Sequence, residues 1–430
     1  MKRLGAMTAV MVLVTAGALA GCRGTDSGGG GGSVKTDVGV TAAPCPQAID
    51  KNKGCIYLGI ISDLTVGPFK ALAVPITDSQ KAFWKRVNTN GGIGGKYEVD
   101  VTTYVRDNKY DPQTHNQVYQ EIKGKVLGLA QTLGSPTTAA IIEDLEANNI
   151  VAAPASWTSA WAFRDVILES GANYCIESMN AIDYAKETFA PKSVMSIHYA
   201  GDYGDDAAAG AKYAAEKLGL TFANVVTTPG ATNQAGAVAA VVAQKPELVI
   251  LTTAPAEAAA IVGGTAVAGY KGHFIGTSPT WNPALNGTAA APALAALYLQ
   301  SGPWQSWGAD TPGHKAMREA LGTPSPLSDG YTAGWVWSYP MKSALEKAVS
   351  NGDLTRKGLL DAAKSLESVD YEGMLPAGAG NYKAGAAGQV KVTVISKPDK
   401  TAPTGVTEVK APFTGPTAAG YTLTKPCYTP

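Results

Sequence analysis

The chain has 430 residues, 16% of them charged and 45% hydrophobic, with a formal net charge of +0. That length is too great for one ordinary core and suits two or three domains, and the apolar content is that of a chain that folds. The balanced charge, with no basic stretch carrying interleaved aromatics, excludes nucleic acid as a partner class.

Lys2 and Arg3 form a short positive segment, followed by an apolar run of small residues from Ala6 to Ala20. The run is too short for a permanent membrane span, and residues 1–21 have the layout of a removable secretory signal. Its ending, Leu19-Ala20-Gly21-Cys22, resembles the bacterial lipobox, whose cysteine is acylated and becomes the first residue of the mature chain. Two acyl chains on one cysteine suffice for stable anchoring. Residues 22–44, with glycine unbroken from Gly28 to Gly32, read as the lipidated cysteine and a flexible tether.

With Cys22 given to lipid, Cys45, Cys55, Cys175 and Cys427 remain, an even number suited to an oxidising compartment. Four thiols allow three pairings. Cys45 and Cys55 flank a polar turn and form the natural local pair, which leaves Cys175 with Cys427 to tie the tail to the middle of the chain. A zinc site is the rival reading, but the four histidines lie far apart and none has ligand spacing to a cysteine.

Beyond Cys55 strand-like and helix-like segments alternate. Ile56–Ile61 is a buried strand. Thr77–Gln80 resembles a capping box that opens a helix to Asn90, which Gly91 and Gly92 stop. Strands are predicted at 99–105, 126–130 and 150–153, with helices at 113–126 and 137–148. The rhythm restarts with strands at 193–198, 225–227, 248–253 and 273–276 and helices at 207–218, 233–243 and 257–268. Long helices follow at 330–350 and 355–366, then a strand at 389–395. Repeated βα units imply parallel sheets with helices on both faces, and two successive sets imply two doubly wound α/β lobes.

Signatures of catalysis are missing. There is no phosphate loop, zinc-protease motif or calcium-loop spacing, and Gly276-Thr277-Ser278-Pro279 lacks the second glycine of a hydrolase elbow. Gly91–Gly95 follows a helix instead of a strand, so it is a turn. The sequence offers no enzyme and no cofactor or metal site.

Several segments together resemble one family, the type I periplasmic (solute-) binding proteins of the branched-chain amino acid group. They are Val66-Gly67-Pro68, Val87-Asn88 through Gly95, Gly134–Thr138, Ala153–Ser156, Gly201–Asp205 and Ser328–Tyr331. The resemblance runs from about residue 56 to 396. It implies two lobes joined by a three-strand hinge and closing on a ligand, with lobe one at 54–177 plus 279–370 and lobe two at 178–278 plus 371–430. It also implies a monomer that captures a small polar solute, an amino acid first, and hands it to an ABC permease, touching the membrane only through its lipid. A ligand sensor of the same fold and a binder of an aromatic acid or amide are the alternatives.

In open α/β sheets ligands bind beyond the carboxyl ends of strands, so the strand-to-helix loops are the candidates. Ser135, Thr137 and Thr138 follow one strand, and Ser156, Trp157 and Thr158 follow the next. Their hydroxyls and amides suit a carboxylate, although the same hydroxyls also serve as helix caps. Tyr203 stands where the family often has a pocket aromatic. Glu257 stands where its amino acid binders carry the acid that holds the ligand ammonium, and Trp281, which begins the loop after the second crossover, is placed to close the pocket. Trp157, Trp161 and Trp281, with Phe69, make more aromatic wall than a small aliphatic ligand needs, which opens the ligand class toward stacking or cationic solutes.

Overall fold

The computed structural model describes residues 34–428, so the signal segment 1–21, Cys22 and the glycine run lie outside the described residues. From Val34 the chain already belongs to the folded body. Lys35–Thr36 pairs in parallel with Asp353–Leu354, and Val40–Thr41 pairs antiparallel with Gly54–Ser62. This corrects the tether expected over 22–44, since Lys35–Thr36 and Val40–Thr41 within it pair with strands of the folded body.

The first sheet is built on Gly54–Ser62, which pairs in parallel with Tyr97–Asp100, Val105–Asp107 and Gly128–Leu133; the last of these pairs with Ala152–Ala155. Every residue of Gly54–Ser62 but Tyr57 is buried, which explains its near-continuous apolar run. The second sheet has seven strands. Thr221–Thr227, Ser193–Tyr199, Leu248–Thr252, His273–Gly276 and Tyr298–Gly302 run parallel, in that spatial order, and Thr393–Pro398 and Val406–Phe413 extend the edge antiparallel.

These pairings move two lobe boundaries. Tyr298–Gly302 hydrogen-bonds to His273–Gly276, so the chain stays with the second sheet to Gly302 instead of leaving it at 279. The side chains of Tyr371, Met374, Leu375 and Ala379 join the core of the first lobe, so the return to the second lobe follows them and does not begin at 371. The first crossing leads from Ala155 to the helix Tyr174–Thr188, which packs with the second lobe.

In the first lobe the helix Lys70–Thr89 starts seven residues before the predicted capping box and runs through Pro75. Proline removes a helical hydrogen bond and ordinarily ends a helix. Here tertiary packing overrides it: Pro75 lies against Gly330, and Ile76 against Gly334, of the long helix Gly330–Ser350. A Cβ at Gly334 would stand 2.2 Å from the Ile76 carbonyl oxygen, so only glycine permits this approach. Both predicted disulfides, Cys45–Cys55 and Cys175–Cys427, are formed. No described helix is long and apolar enough to cross a membrane.

Candidate functional site

A cavity of about 120 Å³ lies between the two sheets, at the carboxyl ends of their parallel strands. Gly134 and Ser135 reach it from the end of Gly128–Leu133, Ser156 and Trp157 from Ala152–Ala155, and Ser278 from His273–Gly276. Gly134 takes a φ of +96°, and a Cβ there would press on Thr137 and Tyr110; the turn into the next helix needs glycine.

The wall is aromatic. Trp157, Trp304 and Trp337 form one cluster, with Trp157 ring centroids 5.4 Å from Trp304 and 4.6 Å from Trp337. Tyr203 comes from the second lobe to meet Phe69 at 6.1 Å and Tyr174 at 4.7 Å. Leu72, Ile76 and Leu133 add aliphatic surface. Three of the rings are hydrogen-bonded to the protein around them. The Trp157 indole N–H donates to the Ser170 carbonyl and its own carbonyl accepts from Tyr174 N, the Tyr203 hydroxyl meets Thr277, and the Trp281 indole donates to Thr404. Asp63 accepts from the amides of Gly67 and Phe69 and thereby shapes the loop that presents Phe69.

Seven serines, Gln300 and three tyrosines interrupt this wall, and charge is nearly absent from it. Among the described residues no lysine, arginine or histidine lines it, and Asp329 is its one acidic side chain. That carboxylate accepts from Trp307 N, and burial pushes its pKa up to about 6. Two buried donors on the wall, Ser135 Oγ and Trp337 Nε1, have no hydrogen-bond partner within the protein. Buried polar atoms are seldom left so, and such atoms mark where a ligand supplies the missing partner.

Of the residues expected from sequence, the structure brings Ser135, Ser156, Trp157, Tyr203 and Trp281 together around the cavity, and Phe69 with them. The others stand apart from its lining. Thr137 donates to the Leu133 and Gly134 carbonyls and Thr138 bonds the Thr132 hydroxyl, so both hydroxyls are used inside the protein, and neither caps the helix, whose N-cap is Gly134. Thr158 is buried away from the wall, and Trp161 reaches Ser156 Oγ from behind. Glu257, the expected ammonium partner, sits in the first turn of Pro255–Val267 with its carboxylate on the amide of Gly230, pinning the loop after Thr221–Thr227. It is not a cavity residue.

Sequence reading missed Tyr110, Tyr174, Gln300, Ser301, Trp304 and Trp337. Trp337 and Ala333 lie four apart on one face of the long helix, a spacing indistinguishable from ordinary core. Ser301 and Trp304 belong to a strand end left unassigned at 298–302. The Ser328–Tyr331 segment carried a usable signal, since Ser328, Asp329 and Gly330 all line the cavity.

Two α/β lobes with a cavity at the switch between them define the type I periplasmic binding protein fold. The chain belongs to the periplasmic binding protein family, whose model matches residues 56–397. It is similar to the fatty acid ABC transporter substrate-binding protein from Thermomonospora curvata, at 30% identity over 90% of this chain and 97% of that one, with a TM-score of 0.82. A branched-chain amino acid ABC transporter protein from Thermus thermophilus with bound valine shares the fold, at 17% identity over 85% and 98% of the chains and a TM-score of 0.74. So does a leucine-binding protein from Thermotoga maritima, at 15% identity over 83% and 98%, with a TM-score of 0.70. No curated protein sequence matches the chain. The family consists of substrate-binding proteins of ABC transporters and not of enzymes.

Proposed function

We propose that this protein is the extracytoplasmic, lipid-anchored capture component of an ABC importer, and that its solute is a largely apolar molecule with one small polar head. The carrying observation is the cavity wall. Its aromatic and aliphatic side chains suit an apolar body, while a zwitterion would bury two charges with no cation and no free acid to meet them. The similarity to a fatty acid carrier supports this class over the amino acid expected from the sequence. Binding needs no chemistry on the solute, and closure of the lobes about their crossing segments follows the hinge mechanism of two-lobed binders.

Calorimetric titration and thermal melts with medium-chain acids, aromatic acids and their amides, beside leucine and valine, test the reading. An apolar solute present at about a hundred times its Kd adds roughly 2.7 kcal/mol of stability. A shift with valine or leucine and none with the apolar series refutes it. Glu257→Ala is expected to leave the affinity for the solute within about twofold, because Glu257 stands outside the cavity lining with its Oε1 on the Gly230 amide; a tenfold loss would return Glu257 to the site. Anchoring rests on the Leu19–Cys22 ending, and metabolic labelling with palmitate should mark the native chain and not Cys22→Ala. Equal labelling of both excludes Cys22 as the anchor.

A further inference from the structure

One acidic group behind the cavity has no part in the account so far. Glu177, in the first turn of Tyr174–Thr188, is 0% exposed. Its Oε1 accepts from both the amide (2.9 Å) and the hydroxyl (3.0 Å) of Ser278. Its Oε2 and the adjoining Ser301 Oγ have no other partner than each other. Ser278 and Ser301 both line the cavity, and Gln300 Nε2 ties their carbonyls together.

We propose that Ser278 and Ser301 form the head-group subsite of the cavity, that the head is a neutral group presenting a donor beside an acceptor, and that Glu177 is the positioning residue that fixes both hydroxyls. The chemical class is a carboxamide or a protonated carboxylic acid. The inference rests on the apolar-solute reading and names the polar end of that solute.

Proton bookkeeping gives the pattern. The Ser278 hydroxyl hydrogen is committed to Glu177, so its lone pairs are what it offers to a ligand donor. A protonated Glu177 can give its own hydrogen to Ser301 Oγ, which leaves the Ser301 hydrogen free for a ligand acceptor. Burial pushes the Glu177 pKa up to about 8, so the acid is mostly protonated at neutral pH. The titratable groups that face it are Tyr174 on its own helix, Tyr203 from Asp202–Lys217 and Tyr298 from Tyr298–Gly302, all pushed up by burial. Asp206, on the same helix as Tyr203, is turned to Ser159 and the Cys175 amide. The packed elements Leu248–Thr252 and Pro416–Gly420 carry no titratable side chain, and Lys397 of Thr393–Pro398 is exposed. No cation is present to hold an ionised head.

Titration of the intact protein with decanamide and decylamine by calorimetry tests the proposal. The amide is expected to bind about tenfold more tightly than the amine at pH 6 and to weaken severalfold by pH 9, as Glu177 ionises and Ser301 turns its hydrogen to it. Glu177→Gln, which copies the protonated acid, should keep the pH 6 affinity and abolish the decline. Ser301→Ala, a smaller change, should lose about tenfold for the amide and little for the amine. Equal binding of amide and amine, or a tenfold loss in Glu177→Gln at pH 6, overturns this inference and leaves the apolar-solute reading standing. Failure of both probes to bind overturns both.

Discussion

Trp335→Ala lowers the stability of the protein by about 3–5 kcal/mol while leaving solute affinity within about twofold. The indole is 0% exposed in the middle of Gly330–Ser350. It packs edge-on to Phe83 at 5.1 Å, donates to the Tyr339 hydroxyl at 2.9 Å, and lies 5.8 Å beneath the Arg86 guanidinium, which in turn pairs with Glu372 at 2.9 Å. Truncation leaves a void between two helices that Gly334 already holds at minimum distance, so the neighbours have little room to collapse. Two residues along, Trp337 faces the cavity instead. Denaturant melts and calorimetry separate the two roles: Trp335→Ala should cost stability, and Trp337→Ala should cost affinity. A loss under 1 kcal/mol for Trp335→Ala would contradict the packing argument.

Removal of the Cys175–Cys427 bond, as Cys175→Ala with Cys427→Ala, is expected to cost about 5 kcal/mol, against about 3 kcal/mol for the Cys45–Cys55 pair. The difference comes from loop length: 252 residues separate the first pair and 10 the second, so the first bond removes far more freedom from the unfolded chain. The long bond also brings Cys427 N to the Ser159 hydroxyl at 2.7 Å, and Ser159 N to Asp206 at 3.1 Å, so the tail is stitched to the first crossing segment. Thermal melts of the two double variants check the ranking, and a larger loss from the Cys45–Cys55 pair would reverse it.

Local patterns carried most of the fold and only part of the site. The strands Leu248–Thr252 and His273–Gly276 were readable because each is a short apolar run between turn residues. The helix Tyr174–Thr188 was missed because it is buried on nearly every face and so shows little amphipathic period. Strand Tyr298–Gly302 was missed because its turns are not marked by glycine on both sides, and with it went two lobe boundaries and Ser301. For the site, position after a strand located Ser135, Ser156, Trp157 and Tyr203. Position alone could not say where a long side chain turns. Glu257 lies on the amide of Gly230 and not in the cavity lining, an outcome that position after a strand does not foretell. Trp337 needed the register between two helices, which no local window contains.

The crowd of indoles around the cavity has a practical corollary. Of eight tryptophans in the chain, Trp157, Trp281, Trp304 and Trp337 line the cavity wall. An apolar solute that excludes water from them changes the medium their excited states sense, so the protein carries its own optical reporter. Emission moving to shorter wavelength on mixing would follow occupancy in real time, without a dye and without altering a single residue.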